Sequence, residues 1–414
     1  MEPYFVMEEK LEVSRMKKIQ VKMLAVFLAT LAFSSTCFAD TFTHRQTGEV
    51  LHGYATGRTE GGKTFVHTQQ KGEAKLNLAE WNIIADRRGR NNRVIILTID
   101  DAIKFEIETE ALVQAITKAA DQGPLFILLE VDTPGGRVDL TQRICAAIME
   151  ARNCQVVAFT KGDKNGGAIS AGVAVAFACD KIYMSNNAVI GAAMMTTTLG
   201  TGRPKELKKA YGEDLGEKFS SAWRAKLASM AEQNHRPGLL ARAMVDRDIE
   251  VIEVFEADKR IFIEPVNKRP RQRLVHTWSK KGSLLTLTAA EAAKCKIADK
   301  VVSSREELLR DLGAENAEIV INNDVQNARI ELKRARGRLN RIRKSIDFKI
   351  KQSENPQPVR KVLKILRSAK SEYKTLIKLA RKYPDLRLNT QVLEEELNSI
   401  EADYEKIKME SQRR

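Results

Sequence analysis

The feature that most constrains the fold of this chain is a stretch in which two glycines precede a run of small and apolar residues. It occupies residues 165–179 and reads NGGAISAGVAVAFAC. The apolar residues 156–159 come before it and predict a short buried strand. A helix that is apolar on every side has to be buried. At 414 residues the chain is long enough to form a core that encloses such a helix.

Ser170 is the one hydroxyl at the entrance of this predicted helix. Backbone N–H groups at a helix start lack partners, and that end of the helix is partly positive. A serine in this place is either an ordinary helix cap or a nucleophile whose developing oxyanion binds those N–H groups. The stretch by itself leaves both interpretations open.

A second glycine-rich turn, DTPGG at residues 132–136, directly follows the predicted strand 125–131. In a parallel sheet, turns that follow neighbouring strands emerge at the same edge. We therefore expect one N–H from Gly135 or Gly136 and one from Ala171 to bracket an oxyanion beside the serine hydroxyl. The two turns together are a more specific signal than either alone.

Strands and helices alternate in the predicted structure from residue 94 onward. Strands are predicted at 94–99, 125–131, 156–159 and 181–184, and helices at 106–120, 138–152 and 218–233. This order indicates an α/β domain with a largely parallel sheet covered by helices. A polar loop rich in threonine and glycine, residues 196–216, leads into the last of these helices.

Changes in composition divide the chain into five parts. We predict a signal peptide at 1–39, a small β domain at 40–86, a basic linker at 87–93, the α/β domain at 94–313 and a helical arm at 314–414. Met16 is the more natural start of the signal, because acidic residues precede it. Export of a soluble protein is the favoured interpretation, and an uncleaved membrane anchor is the alternative.

The formal net charge of +15 is concentrated in the arm, where residues 324–414 hold 24 basic and 13 acidic side chains. Apolar residues there recur at intervals of three and four, with breaks at Pro356, Pro358 and Pro384. This pattern predicts a coiled-coil hairpin or a three-helix bundle with a basic outer face. A solvated arm for assembly is favoured over a surface for an anionic membrane or cell wall, and nucleic acid is disfavoured as a partner.

The sequence predicts neither a metal site nor a cofactor. The histidines of the small β domain lack the tight spacing of metal ligands (His44, His52, His67). Cys145 and Cys179 fall on apolar helical faces and are expected to be small core residues. Whether these two or the other cysteines (Cys154, Cys295) pair in an oxidising compartment is left open.

Three motifs resemble those of the NfeD-type membrane-bound serine proteases, which are relatives of signal peptide peptidase A in the ClpP/crotonase superfamily. They are DTPGG at 132–136, GAISAG at 167–172 and VIGA at 189–192. The stretches 243–251 and 285–292 agree, so the resemblance extends over about residues 93–313. It implies a ClpP/crotonase-like spiral of parallel strands and helices that cleaves peptides.

The resemblance also implies roles for individual residues. Ser170 matches the nucleophile of the family. Its general base is a lysine just before the helix that follows a mobile loop, and Lys218 is the best match. Other lysines of the same loop compete for this role (Lys205, Lys208, Lys209). Because a lysine base must be neutral, we predict that Lys218 becomes buried beside Ser170, at the latest when the loop closes over a substrate.

The predicted function is that of an exported serine endopeptidase with a Ser170/Lys218 dyad, periplasmic or membrane-associated. Its expected substrates are exposed apolar peptide segments, and it is expected to form a homo-oligomer, as relatives of the fold do. A triad with histidine is disfavoured, because residues 189–193 contain none. Two alternatives remain: a crotonase-like acyl-CoA enzyme that uses the same amides, and a non-catalytic scaffold that presents the helical arm to a partner.

Overall fold

A computed structural model describes residues 40–68, 70–84, 91–151, 154–197, 205–257 and 259–413. The predicted signal peptide and most of the predicted linker lie outside these residues. The chain divides into two compact units, with the boundary near residue 87. Each unit is described by itself.

The first unit is a five-stranded antiparallel sheet in the order β4-β3-β2-β1-β5. Its strands are β1 (Asp40–His44), β2 (Val50–Glu60), β3 (Lys63–Thr68), β4 (Gly72–Leu76) and β5 (Trp81–Ile84). A small core lies on one face (Phe42, Leu51, Val66, Leu76, Trp81). A small β domain was predicted here, as a β-barrel or a three-stranded sheet, and the structure has five strands instead.

The second unit is an α/β domain that continues into a helical arm. Its strands are β6 (Asn91–Ile99), β7 (Pro124–Val131), β8 (Gln155–Thr160), β9 (Gly167–Ile169), β10 (Lys181–Ser185), β11 (Val189–Gly191), β12 (Thr196–Thr197), β13 (Lys205–Glu206), β14 (Val251–Glu256), β15 (Lys259–Ile263), β16 (Arg273–Ser279), β17 (Thr286–Thr288), β18 (Lys300–Val302) and β19 (Glu318–Ile321). Six of them form a parallel sheet in the order β18-β10-β8-β7-β6-β19. All eight residues of β7, near the middle of this sheet, are buried.

Smaller sheets complete the strand structure. In one, β11 pairs in parallel with β9 and antiparallel with β17. In another, β14 lies between β15 and β16, and the short strands β12 and β13 pair with each other. The parallel sheet with its added layers confirms the predicted fold class.

The helices of the domain are α1 (Glu106–Asp121), α2 (Val138–Glu150), α3 (Ala171–Ala178), α4 (Leu207–Tyr211), α5 (Glu213–Gln233), α6 (Gly238–Val245), α7 (Ala289–Lys294) and α8 (Arg305–Asp311). Every residue of α3 is buried, as its composition predicted. It packs between α2 and α5. Cys145 in α2 and Cys179 after α3 are core residues as expected.

The arm consists of three helices, α9 (Asp324–Glu354), α10 (Val359–Lys382) and α11 (Thr390–Gln412). Consecutive helices pack on each other around an apolar core that includes Leu339, Tyr373 and Leu397, and α9 also packs on α1. The arm thus has three helices, of which the second packs on both others. The breaks fall at the predicted prolines.

Three predicted boundaries require correction. Residues 91–93 belong to β6 and not to a linker, and β19 extends the parallel sheet beyond residue 313. The helix predicted from residue 218 begins at Glu213, since the polar residues before it continue the same helix. Among the described residues, no helix is long and apolar enough to span a membrane.

Candidate functional site

The two glycine-rich turns meet, as expected for neighbouring parallel strands. The Thr133 N–H donates to the Gly167 carbonyl at 2.8 Å, and the Ile169 N–H donates to the Thr133 carbonyl at 3.1 Å. These bonds extend the strand pairing beyond the sheet edge. They bring the turn after β7 against β9, directly before the buried helix α3.

Asp132 organises both turns, a role that the sequence analysis did not identify. Its buried carboxylate accepts hydrogen bonds from the N–H groups of Lys164 at 2.8 Å, Asn165 at 3.0 Å and Gly167 at 3.0 Å. The sequence did contain a signal for this role, because Asp132 directly follows a predicted buried strand and precedes two glycines. One side chain thus fixes the loop that leads to the candidate nucleophile.

Ser170 lies on a strained turn between β9 and α3. Its φ and ψ are 54° and −119°, in a region that residues other than glycine rarely occupy. Its N–H donates to the Gly191 carbonyl at 3.0 Å, and its side chain makes no capping hydrogen bond to α3. The side chain is partly exposed. A sharp, strained strand-to-helix turn is how nucleophile elbows present a serine hydroxyl, so the geometry favours a nucleophile over a cap.

Gly135 lies directly against this serine. Its φ is 101°, and a Cβ atom in its place would approach Ser170 Cβ to 2.6 Å and Ser170 Oγ to 2.9 Å. The same atom would lie 2.9 Å from the N of Ala171. Only glycine fits here, which explains the first glycine of the DTPGG motif.

The site holds two backbone donors that are free to bind an anion. Among the described residues, the N–H groups of Gly136 and Ala171 have no acceptor, whereas the Gly135 N–H donates to Thr133 Oγ1 at 3.1 Å. Ala171 is also the first residue of α3, whose amino end carries a partial positive charge. The sequence predicted that either Gly135 or Gly136 supplies one N–H group. Of these two, the N–H group of Gly136 is the one without an acceptor among the described residues.

Lys218 does not lie beside Ser170 in a buried pair in this structure. It is exposed in the second turn of α5. The buried face of α5 includes Gly216 and Trp223, and the Trp223 indole N–H donates to the Ala193 carbonyl at 3.0 Å. Lys218 comes two positions after Gly216, about 200° around the helix axis and so on the opposite side. Its role as general base stays a prediction.

Lys208, one of the competing lysines, forms ion pairs with two carboxylates. Its ammonium lies 2.9 Å from a Glu213 carboxylate oxygen and 3.1 Å from one of Glu217. Hydrogen bonds to these two carboxylates, first Glu213, raise the pKa of Lys208 well above its usual value. An ammonium held in its charged form is a poor proton acceptor. Of the remaining candidates, Lys209 lies 3.5 Å from Glu206, and Lys205 is exposed in β13.

Ion pairs fasten the segment that carries these lysines to the residues after α6. Arg224 pairs with Glu217 at 2.8 Å and also with Asp246, and Arg247 pairs with Glu206. Asp246 and Arg247 belong to the stretch 243–251 noted in the sequence. Through these contacts the stretch anchors the segment that carries the candidate lysines. No cluster of three or more histidine, cysteine or acidic residues that could hold a metal ion occurs among the described residues.

Comparison with known proteins gives matches over the α/β domain. The family model "NfeD1b, N-terminal domain" matches residues 93–265. "Membrane protein NfeD1b" of Bacillus subtilis (strain 168) is 27% identical over 208 residues, which are 50% of this chain and 38% of the relative. The chain thus matches less than half the length of that curated relative.

Solved structures also resemble the chain. A lysine-to-alanine mutant of the "1510-N membrane-bound stomatin-specific protease", in complex with a substrate peptide, matches 58% of this chain and 98% of its own with 20% identity and a TM-score of 0.42. The "1510-N membrane protease specific for a stomatin homolog from Pyrococcus horikoshii" matches 56% and 92% with 19% identity and a TM-score of 0.35. The resemblance predicted from the motifs is confirmed for the matched segment: residues 93–265 match the model of the NfeD1b N-terminal domain family.

Proposed function

We propose that the α/β domain is a serine endopeptidase in which Ser170 attacks the scissile carbonyl. One observation carries the proposal: Ser170 lies on a strained strand-to-helix turn with its hydroxyl uncapped, against Gly135 and beside the open amides of Gly136 and Ala171. Attack forms a bond from Ser170 Oγ to the carbonyl carbon, and the carbonyl oxygen becomes the oxyanion. The amides of Gly136 and Ala171 donate to it.

Lys218 is the proposed general base. It accepts the proton of Ser170 Oγ during attack and returns it to the amine that leaves when the peptide C–N bond breaks. The ion pairs of Lys208 support this choice, since they keep the chief competitor protonated. Because Lys218 is exposed on the outer side of α5, the dyad requires α5 to shift when a peptide binds.

The proposed substrates are extended apolar peptide segments. Leu215 and Phe219, four residues apart on the side of α5 that also carries Lys218, are 45% and 47% exposed, and Tyr211 at the end of α4 is 45% exposed. Residues four apart within one helix lie above one another on its surface. Such a stripe beside the proposed base favours apolar side chains of a bound peptide.

The wider setting is also a proposal: an exported, periplasmic or membrane-associated homo-oligomer. The outer side of α9 supports contact with an anionic membrane or cell-wall surface. Lys333, Arg341 and Lys344 are exposed there, and Phe348, on the same side, is 66% exposed. Cations with an apolar side chain between them suit a negatively charged lipid surface. Co-sedimentation with anionic vesicles, against neutral ones as control, tests this part.

Fluorophosphonate labelling and cleavage of an unfolded apolar polypeptide test the enzyme. We expect Ser170→Ala to abolish both, while Ser411→Ala, at the end of α11, leaves them unchanged. Lys218→Met should lower both by at least about 100-fold, the scale of general base catalysis. Lys208→Met should retain most of the activity. Equal loss in both lysine variants would contradict the assignment of Lys218.

The exposure of Lys218 favours a second candidate, a non-catalytic scaffold that presents the arm to a partner. A scaffold needs no neutral amine at Ser170. In that case the wild-type protein neither labels nor cleaves, and Ser170→Ala behaves like the wild type in every assay.

A further inference from the structure

We propose that the helical arm positions the oxyanion donor of the proposed peptidase: its contacts with residues 100–108 hold the Gly135–Gly136 peptide in its working orientation. This inference rests on the proposed function. It assigns positioning roles to Asp385 and Arg329 in the arm, neither of which touches Ser170. The argument follows the contacts from the arm to the glycine pair.

Asp385 supplies the cap that α1 lacks. The residue before α1 is Phe105, whose side chain cannot accept a hydrogen bond. Asp385 lies between α10 and α11, and its buried carboxylate accepts from the N–H groups of Glu106 at 2.8 Å and Ile107 at 2.9 Å. A carboxylate at this end also interacts favourably with the helix dipole. The amino end of α1 is therefore held by a residue 279 positions away in the chain.

Arg329 of α9 fastens the same region a second time. Its guanidinium donates to Asp100 at 2.9 Å and to Glu108 at 3.1 Å. Arg336, also in α9, lies over the Phe105 ring at 4.6 Å from its centroid, and that ring packs against the apolar core of the arm. Residues 100–108 are thus fixed to the arm at both ends.

The other side of the same segment contacts the glycine-rich turns. The Ile103 N–H donates to the Gly135 carbonyl at 2.9 Å, and the Ile103 carbonyl accepts from the Arg137 N–H at 2.8 Å. Thr133 Oγ1 donates to the Asp101 carbonyl at 2.8 Å. A Cβ atom at Gly136 would lie 2.1 Å from the Ile103 carbonyl oxygen, so the two backbones are in close contact.

The bond from Ile103 to Gly135 determines where the proposed donor points. The Gly135 carbonyl and the Gly136 N–H belong to one planar trans peptide, in which these groups point in opposite directions. Holding the carbonyl toward Ile103 therefore turns the N–H away from Ile103. If the segment loosens, this peptide can rotate, because two glycines tolerate many backbone conformations. The donor is then lost, although Ser170 stays in place.

Two full-length variants, each with a carboxylate changed to an amide, test the proposal. Asp385→Asn keeps only one of the two acceptor oxygens at α1. Glu372→Gln is the matched control, since Glu372 accepts from Lys349 and Ser345, which both lie within the arm. We expect Asp385→Asn to lower kcat and the rate of fluorophosphonate labelling about tenfold with KM unchanged, a fraction of the loss that removal of a whole donor causes. The control should match the wild type.

Hydrogen exchange gives a readout that does not need activity. Peptides that cover 100–107 and 133–137 should exchange faster in Asp385→Asn than in the wild type, and at the wild-type rate in Glu372→Gln. If Asp385→Asn fails to fold, Arg329→Met replaces it, with the same expectations. Faster exchange in 100–107 with unchanged labelling overturns the proposal. A wild-type protein that never labels overturns the proposed function instead, and the exchange of 133–137 still decides whether the arm holds this peptide.

Discussion

The two halves of the candidate site are built differently. The nucleophile half, around Ser170, is held by backbone hydrogen bonds and by one buried carboxylate, Asp132, that accepts three of them. The base half, around Lys218, is held by ion pairs between partly exposed side chains, such as Glu217 with Arg224. Backbone contacts fix atoms within tenths of an ångström, whereas exposed ion pairs are weak. We infer from this difference that the first half is formed before substrate binds, and that the second half moves when the proposed dyad forms.

The largest effect on labelling is expected at Gly135, because the nucleophile half has no space for a side chain there. Gly135→Ala places a methyl group 2.6 Å from Ser170 Cβ, so it must displace the serine. We expect fluorophosphonate labelling to fall on the order of 100-fold, as misplacement of a reacting group by about 1 Å does. The rate of labelling measures this.

Gly282 is the matched control for Gly135. It also has a positive φ, 90°, but a Cβ atom there meets nothing within 4 Å. Alanine at this position should cost about 1–2 kcal/mol of backbone strain and leave labelling nearly unchanged. A Gly135→Ala protein that labels as fast as Gly282→Ala would remove the distinction between the two halves.

A smaller effect is expected at Asp132. Asp132→Ala leaves three backbone donors without their acceptor, and we expect the free energy of unfolding to fall by about 3 kcal/mol. Asp163→Ala is the matched control in the same loop, because its carboxylate is 67% exposed and pairs with Lys161 at 3.3 Å. Its expected effect is about 0.5 kcal/mol. Urea unfolding measures both, and equal losses would mean that the loop does not depend on the buried carboxylate.

The smallest effect is expected in the base half. Hydrogen bonds from Arg224 and then Lys208 lower the pKa of Glu217 below its usual 4.5. A lowered carboxyl pKa stabilises the folded state above pH 4.5, and this contribution is lost as the pH falls through the folded-state pKa. Glu217→Gln should therefore cost about 0.5 kcal/mol at pH 7, discounted for exposure. The difference from the wild type should vanish in acid.

Urea unfolding at decreasing pH checks this expectation. Salt should also reduce the difference, because exposed ion pairs are screened. A loss as large as that of Asp132→Ala would show that the ion pairs hold the base half as firmly as backbone bonds hold the other.

The sequence by itself determined the backbone around Ser170 and four of the six strands of the parallel sheet. Glycines at 135 and 136, an apolar strand before them and a helix apolar on every side are local features, and local backbone geometry leaves them few structures. Ser170 at the entrance of the buried helix was predicted from these residues alone.

Only the tertiary structure decided where Lys218 lies and which residue caps α1. Lys218 was expected to precede its helix, yet it lies within α5 and faces away from the buried side. Asp385 caps a helix that begins 279 residues earlier, and no local pattern announces such a contact. These placements depend on which surfaces meet when distant segments pack together, and that depends on the whole chain rather than on the spacing of neighbouring residues.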